Sequence, residues 1–210
     1  MTSNFDNLIN ELYSHNIITE DMDAGQQQPP AIVQKAEATP QQIADKFYKY
    51  LMTQENDQNA GYNSKTQRWF PHGSPERGLP TLGYGHKFAS KKELDQWKKK
   101  YPQGMTSAEI VKLFHQDVID HFNRAKNQTD KLLGAGTWDK LPFESKLMLT
   151  DYEYSPGLSL FPKFNKAVAK QDWKTAYKEH KRYYSRDGKT IEMVRRNNAF
   201  AQLYLLPKLK

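Results

Sequence analysis

Residues 81–88 read Thr-Leu-Gly-Tyr-Gly-His-Lys-Phe, so glycines alternate here with larger side chains. Glycine weakens a strand unless a ligand or another part of the protein must approach its backbone closely. Gly83 and Gly85 therefore predict either a strand beside a ligand groove or a kinked hairpin without a ligand. Residues 56–88 as a whole consist of short aromatic or branched pieces interrupted by Asn, Asp, Gly and Pro, which is typical of small strands joined by tight turns. We expect the only sheet of the protein in this region.

Helices are predicted on both sides of this sheet. Thr39 and Pro40 fit an N-cap and a first helical position, and an apolar stripe then continues to about Gln54. Residues 106–109 (Thr-Ser-Ala-Glu) form a capping-box pattern ahead of the next helix. Further helices are expected near 138–153, 162–169, 172–184 and 190–205. The predicted fold class is α+β and mainly helical, with one small antiparallel sheet.

The first 40 residues differ in composition from the rest of the chain. Residues 24–40 are rich in Gln, Ala and Pro and lack a sustained apolar face, which is typical of a linker, and one short helix is predicted ahead of it. We therefore expect an N-terminal helix and linker in residues 1–40 and one folded domain in residues 41–210. The whole chain has a net charge of +7. Residues 1–40 carry a net charge of −5, so residues 41–210 carry a net charge of +12.

Composition excludes several classes of protein. The longest apolar runs fall short of the roughly 18–20 residues that cross a bilayer, and no basic segment followed by an apolar one marks a cleavable export signal at the start. With no cysteine in 210 residues, disulfides, thiol nucleophiles and cysteine-based zinc sites are excluded. The histidine spacing predicts no metal site, and no phosphate-binding loop is present. The positive domain should attract polyanions, whether nucleic acid, anionic lipid or bacterial wall polymer.

Two carboxylates could carry chemistry. Glu55 is predicted at the C-terminus of a helix, where the negative end of the helix dipole favours the protonated form that a general acid requires, although a glutamate at a helix end is also a common surface residue. Asp117 falls on the core-facing stripe of the helix that begins after Thr106, and a buried carboxylate needs a partner. His86, His121 or a lysine is the expected partner, in an ion pair that fixes packing.

Arginines and tyrosines gather near the C-terminus. Arg195 and Arg196 follow Tyr183, Tyr184 and Arg186 in the sequence. Arginine donors beside aromatic rings suit the binding of sugars, carboxylates and phosphates alike. The same residues are equally consistent with a helix face that is simply exposed to solvent.

Several motifs, taken in order, resemble the phage-type lysozymes, the muramidases of glycoside hydrolase family 24. Glu55 closes the first domain helix, and residues 81–86 follow the family's Gly-x-Gly-His strand. Residues 112–118 (Lys-Leu-Phe-His-Gln-Asp-Val) match a family helix almost identically. The later matching pieces are residues 152–157, 161–164, 170–176, 181–184 and 195–196. The resemblance covers roughly residues 41–205.

This resemblance implies a lysozyme-like fold with a helical C-terminal lobe, and it implies roles for individual residues. Glu55 would protonate the glycosidic oxygen, and Thr81 would lie on the opposite side of the bound sugar. His86 would pair with Asp117. We further expect Tyr84 and Arg195 to bind substrate, with no metal and no cofactor.

The second catalytic carboxylate departs from the family pattern. The family places it between the glutamate and the Gly-x-Gly-His strand, but here the interval from Glu55 to Thr81 is 26 residues and therefore longer. Glu76, five residues before Thr81, is the chosen candidate, and Asp57 is a poorer one because it lies too close to Glu55 along the chain.

The predicted function is hydrolysis of the β-1,4 bond between N-acetylmuramic acid and N-acetylglucosamine in bacterial peptidoglycan, by a phage endolysin or a virion-associated lysin. The alternatives are a lytic transglycosylase, which forms 1,6-anhydro products, and a non-catalytic wall-binding module. Residues 1–40 could dock on a phage structural protein. We expect a monomer without a specific nucleic-acid partner or a membrane span, which is made in the host cytoplasm and acts in the periplasm or cell wall.

Overall fold

The computed structural model describes residues 40–73 and 78–210, which are mainly helical with small antiparallel sheets. This confirms the predicted α+β class. The α-helices of the described part are α1 (Pro40–Asn56), α2 (Lys91–Lys100), α3 (Ser107–Leu133), α4 (Phe143–Tyr154), α5 (Pro162–Ala169), α6 (Trp173–Glu179) and α7 (Val194–Phe200). Its strands are β1 (Tyr62–Asn63), β2 (Arg68–Trp69), β3 (Thr81–Leu82), β4 (His86–Lys87), β5 (Tyr183–Arg186) and β6 (Lys189–Glu192).

Residues Tyr48–Lys210 form one compact unit, and the first half of α1, in which Ala44 and Phe47 are buried, precedes it. Residues 1–39, which contain the predicted N-terminal helix and most of the linker, lie outside the described residues. Within the described residues, none of the helices combines the length and the apolar character that crossing a bilayer requires.

Helix α3 begins at the predicted capping box. The backbone N–H of Thr106 donates to Glu109 Oε2 at 2.7 Å, and the N–H of Glu109 donates to Thr106 Oγ1 at 3.2 Å. These two bonds satisfy donors that the first helical turn leaves without partners. The buried positions of α3 then recur every three or four residues, at Ile110, Phe114, Val118, Phe122, Ala125 and Thr129. This face packs against α4.

Each sheet of the described part is a two-stranded antiparallel hairpin. Strand β1 pairs with β2 and β3 with β4, within the region where the sequence predicts a sheet. The segment after β2 connects these hairpins, since His72 exchanges two backbone hydrogen bonds with Thr81, at 2.8 and 2.9 Å. The turn of the second hairpin is residues 83–85.

The third hairpin corrects the prediction of a single sheet. Strands β5 and β6 overlap the end of the helix predicted near 172–184 and the start of the one predicted near 190–205, and they pair from Tyr183 and Glu192 to Arg186 and Lys189. Asp187 and Gly188 between them both have positive φ angles, 52° and 74°. A two-residue turn of this kind matches the twist of a hairpin, so Asp-Gly here connects two strands.

Helix α2 was not predicted, because lysines occupy five of its ten positions. Ser90 caps it by accepting from the N–H of Glu93 at 3.2 Å. Its buried Leu94 joins a small core formed with Trp69, Leu82, Phe88, Met105 and Ile110. This core supports the hairpin that carries residues 81–88.

Candidate active site

Glu55 lies in the last turn of α1, with only 17% of its side chain exposed. Its Oε1 atom forms an ion pair with Nη1 of Arg196. Its Oε2 atom faces the turn of the second hairpin, where a Cβ atom on Gly85 would lie only 3.0 Å away. Gly85 also has a φ of +91°, a backbone conformation that residues other than glycine rarely adopt. The glycine that the sequence indicated therefore permits close approach of a carboxylate.

Asn56 fixes the position of Glu55 relative to this turn. Its Nδ2 atom donates to the carbonyls of Ala60 and Gly83, at 3.0 and 2.8 Å. Its Oδ1 atom accepts from the N–H of Ala60 at 2.7 Å. One buried side chain thus connects the end of α1 to the turn before β1 and to the second hairpin, which positions the neighbouring Glu55.

Tyr84, predicted to bind substrate, lies in the same turn and is half-buried. Its ring packs against the rings of Trp69 and Phe114, with centroid distances of 5.5 Å in both cases. Its carbonyl accepts a hydrogen bond from the hydroxyl of Tyr154 at 2.8 Å. Burial, followed by the nearby charge of Glu55, raises the pKa of Tyr154 well above its ordinary value, so this hydroxyl remains a donor.

Behind Glu55 lies a buried network that sequence analysis did not predict. Asp151 is fully buried and accepts from Nη2 of Arg196 at 2.6 Å and from Nη1 of Arg182 at 2.7 Å. The hydroxyl of Tyr50 donates to the same carboxylate at 3.1 Å. Burial opposes ionisation of Asp151, but the charges of Arg182 and Arg196 outweigh it and hold the pKa of Asp151 below its ordinary value.

The charges of this network balance. Two carboxylates, Glu55 and Asp151, face two guanidiniums, Arg182 and Arg196, and the formal charges cancel. Arg196 is shared between the two carboxylates.

A sequence signal for Asp151 did exist. Leu147, Met148 and Leu149 are consecutive apolar residues just before it, and a helix that is apolar on every side is buried on every side. A carboxylate in such a helix must find cations. No local pattern, however, identifies Arg182 and Arg196 as those cations.

His86 and Asp117 are in contact, as the resemblance implies. The Nδ1 atom of His86 lies 3.0 and 3.1 Å from the two carboxylate oxygens of Asp117, and the two side chains are 19% and 16% exposed. Burial lowers the pKa of His86, but the hydrogen bond to Asp117 and its charge, together with the charge of Glu93, raise it above the ordinary value overall. His121, the other candidate partner, instead contacts the backbone carbonyl of Asp117 at 2.6 Å.

Thr81, expected opposite Glu55, is 7% exposed and begins β3. Its Oγ1 atom lies 3.5 Å from Nε2 of His72, a residue that sequence analysis did not select. Glu76, the predicted second carboxylate, lies outside the described residues.

Arg195, the other residue expected to bind substrate, is 54% exposed. It pairs with Asp57, and its Nη2 atom donates to the carbonyl of Thr53 at 2.7 Å. It thereby joins the start of α7 to the end of α1. The neighbouring Arg196, rather than Arg195, contacts Glu55.

Within residues 40–73 and 78–210, no group of three or more histidine or carboxylate side chains is arranged to hold a metal ion. In comparisons with known proteins, no family model, no curated protein and no solved structure matches this chain.

Proposed function

We propose that this chain is a lysozyme-like muramidase that hydrolyses the β-1,4 bond between N-acetylmuramic acid and N-acetylglucosamine. The observation that carries this proposal is the setting of Glu55: one carboxylate oxygen is held by Arg196, and the other faces the glycine turn of the second hairpin. An oriented, largely buried carboxyl is what general-acid catalysis of glycoside cleavage needs.

In this mechanism Glu55 donates its proton to the glycosidic oxygen as the bond to the sugar carbon breaks. Bound sugar would exclude water from the 17% of the side chain that is exposed. As Glu55 becomes an anion, Arg196 stabilises it. Asp151 keeps that guanidinium in place from the opposite side, through the bond of 2.6 Å.

The excess positive charge outside residues 1–40 supports the same substrate. A net charge of +12 over residues 41–210 attracts an anionic bacterial envelope and accelerates encounter with it at low salt. Peptidoglycan is therefore the proposed partner, reached in the periplasm or in the cell wall.

Lysis of bacterial wall by the full chain tests the proposal. We expect Glu55→Gln to abolish clearing of a peptidoglycan suspension and the corresponding band in a zymogram, while circular dichroism shows that the variant is still folded. Glu179→Gln is the matched control, because Glu179 also ends a helix, α6. Clearing by Glu55→Gln at the wild-type rate would remove Glu55 from this role.

A lytic transglycosylase is the second candidate, since such an enzyme needs no second carboxylate and the side chain whose Nε2 atom lies 3.5 Å from Thr81 Oγ1 is a histidine. Mass spectrometry of the released muropeptides separates the two reactions. Hydrolysis adds one water to each cleaved bond, whereas an anhydro product has the mass of the unhydrated fragment.

A wall-binding module tethered through residues 1–40 is the remaining alternative. Deletion of residues 1–38 tests it: lysis unchanged by the deletion, together with lost co-purification with phage particles, would assign these residues to a tether.

A further inference from the structure

His72 lies beside Thr81 in a setting that suits a base. The backbones of the two residues exchange hydrogen bonds of 2.8 and 2.9 Å, and this pair of bonds fixes their relative position. The Nε2 atom of the ring lies 3.5 Å from Thr81 Oγ1. This is longer than a strong hydrogen bond, as is common for catalytic contacts in free enzymes.

The other ring nitrogen of His72 also has a partner. Nδ1 lies 3.4 Å from the carbonyl oxygen of Gly73. A carbonyl can only accept, so this contact favours the tautomer with hydrogen on Nδ1 and a lone pair on Nε2. In that tautomer the lone pair lies on the nitrogen next to Thr81. A base held by a third group in this way is the usual arrangement around an activated nucleophile.

His72 and Glu55 lie at different ends of the second hairpin. Glu55 Oε2 faces Gly85 in the turn, and Asn56 binds the carbonyl of Gly83. Thr81 is two residues before Gly83, a spacing of about 7 Å along an extended strand, and His72 is bridged to Thr81. Inverting glycosidases separate their acid and base by about 6.5–9.5 Å, which leaves room for the attacking water.

We propose that His72, together with Thr81, binds and deprotonates the attacking water, so that the reaction inverts configuration at the sugar carbon. The inference rests on the muramidase function proposed above and names the base of the same site. The resemblance led to the expectation of a carboxylate, Glu76, in this role.

The step balances without a cofactor. The water oxygen bonds to the anomeric carbon while one of its protons moves to Nε2 of His72. The bond from that carbon to the leaving oxygen breaks with its electron pair on oxygen, which takes the proton of Glu55. His72 then releases its proton to solvent and Glu55 takes one up, so that one water is consumed.

Replacement of His72 and chemical rescue in the full chain test this inference. His72→Asn retains an amide donor near the Nδ1 position and removes the acceptor at Nε2, and we expect its hydrolysis rate to fall by about 10²- to 10⁴-fold. Sodium azide needs no base, so it should restore bond cleavage and give the α-glycosyl azide, the inverted product. His115→Gln, a change in a half-buried histidine of α3, is the control and should keep the wild-type rate.

Each competing outcome has a distinct result. Wild-type rates in both His72→Asn and His72→Gln, with Glu55→Gln inactive, would overturn the role of His72 and leave the muramidase function intact. Azide rescue of Glu76→Gln but not of His72→Asn would assign the base to Glu76. Anhydro products from the wild type would exclude an attacking water altogether. Absence of any wall cleavage by the wild type would overturn the proposed function itself.

Discussion

The Nη2 atom of Arg196 lies 2.6 Å from Oδ1 of Asp151, while Nη1 of the same guanidinium pairs with Glu55. A buried residue of α4 is thereby connected through one arginine to the carboxylate at the end of α1. Because both carboxylates depend on one guanidinium, a change at Asp151 affects the fold and the candidate site together.

Asp151→Asn should lower the free energy of unfolding by about 3–5 kcal/mol, because it leaves two buried guanidiniums facing a neutral amide. Urea unfolding followed by circular dichroism measures the change. Asp139→Asn is the control: Asp139 pairs with Lys126 at 2.9 Å but is 65% exposed, so its removal should leave the midpoint unchanged. Equal midpoints for the two variants would contradict the role of the buried network.

Gly85→Ala should lose wall lysis far out of proportion to its loss of stability. An added Cβ would lie 3.0 Å from Glu55 Oε2, so the carboxylate would have to move by a few tenths of an ångström. Gly136→Ala provides the control, since Gly136 has a φ of +77° with nothing within 4 Å of its added Cβ. Both variants should lose about 1–3 kcal/mol through backbone strain. Full lysis by Gly85→Ala would show that this contact does not matter for activity.

Arg195→Gln and Arg196→Gln should differ sharply in stability. Arg195 is more than half exposed, so the loss of its pair with Asp57 should cost less than about 1 kcal/mol. Loss of Arg196 leaves Asp151 without one of its two cations and should cost on the order of 3–5 kcal/mol. Thermal unfolding compares them. If Arg195 binds substrate as expected from the sequence, its variant will show a raised KM with an unchanged kcat.

The pair of His86 and Asp117 should make stability depend on pH. The pKa of His86 is raised in the folded state, so the pair contributes fully below the unfolded value of about 6.5 and the contribution disappears as pH rises through the folded value. The stability difference between wild type and Asp117→Asn should therefore shrink from about pH 5 to about pH 9.

Urea titrations of both proteins across this range measure that difference. The pKa of His121 is lowered, chiefly by burial, and His121 also senses the charge of Asp117. A double variant with His121→Gln isolates the His86 component. A difference that grows with pH in that background would contradict the assignment.

Local patterns were enough to predict much of the scaffold. The capping box at Thr106 and Glu109 and the apolar stripe that follows identified α3, because these interactions involve residues within one or two turns. The glycines at 83 and 85 indicated a close approach to the backbone. Helix α2 escaped because its lysines obscure its short apolar stripe, and β5 and β6 escaped because Asp187 and Gly188 were taken only as a break between helices.

The sequence by itself determined which residues are candidates: a glutamate at the end of a helix, a glycine turn and a carboxylate on a core-facing stripe. Only the tertiary structure decided their partners. Arg196 reaches Glu55 across 141 positions and Asp151 across 45, and His72 meets Thr81 through a backbone bridge between separate segments. The periodic spacing of apolar residues indicates which side chains face the core. It carries no information on which distant charge will face each of them, because that choice depends on how whole helices and hairpins pack.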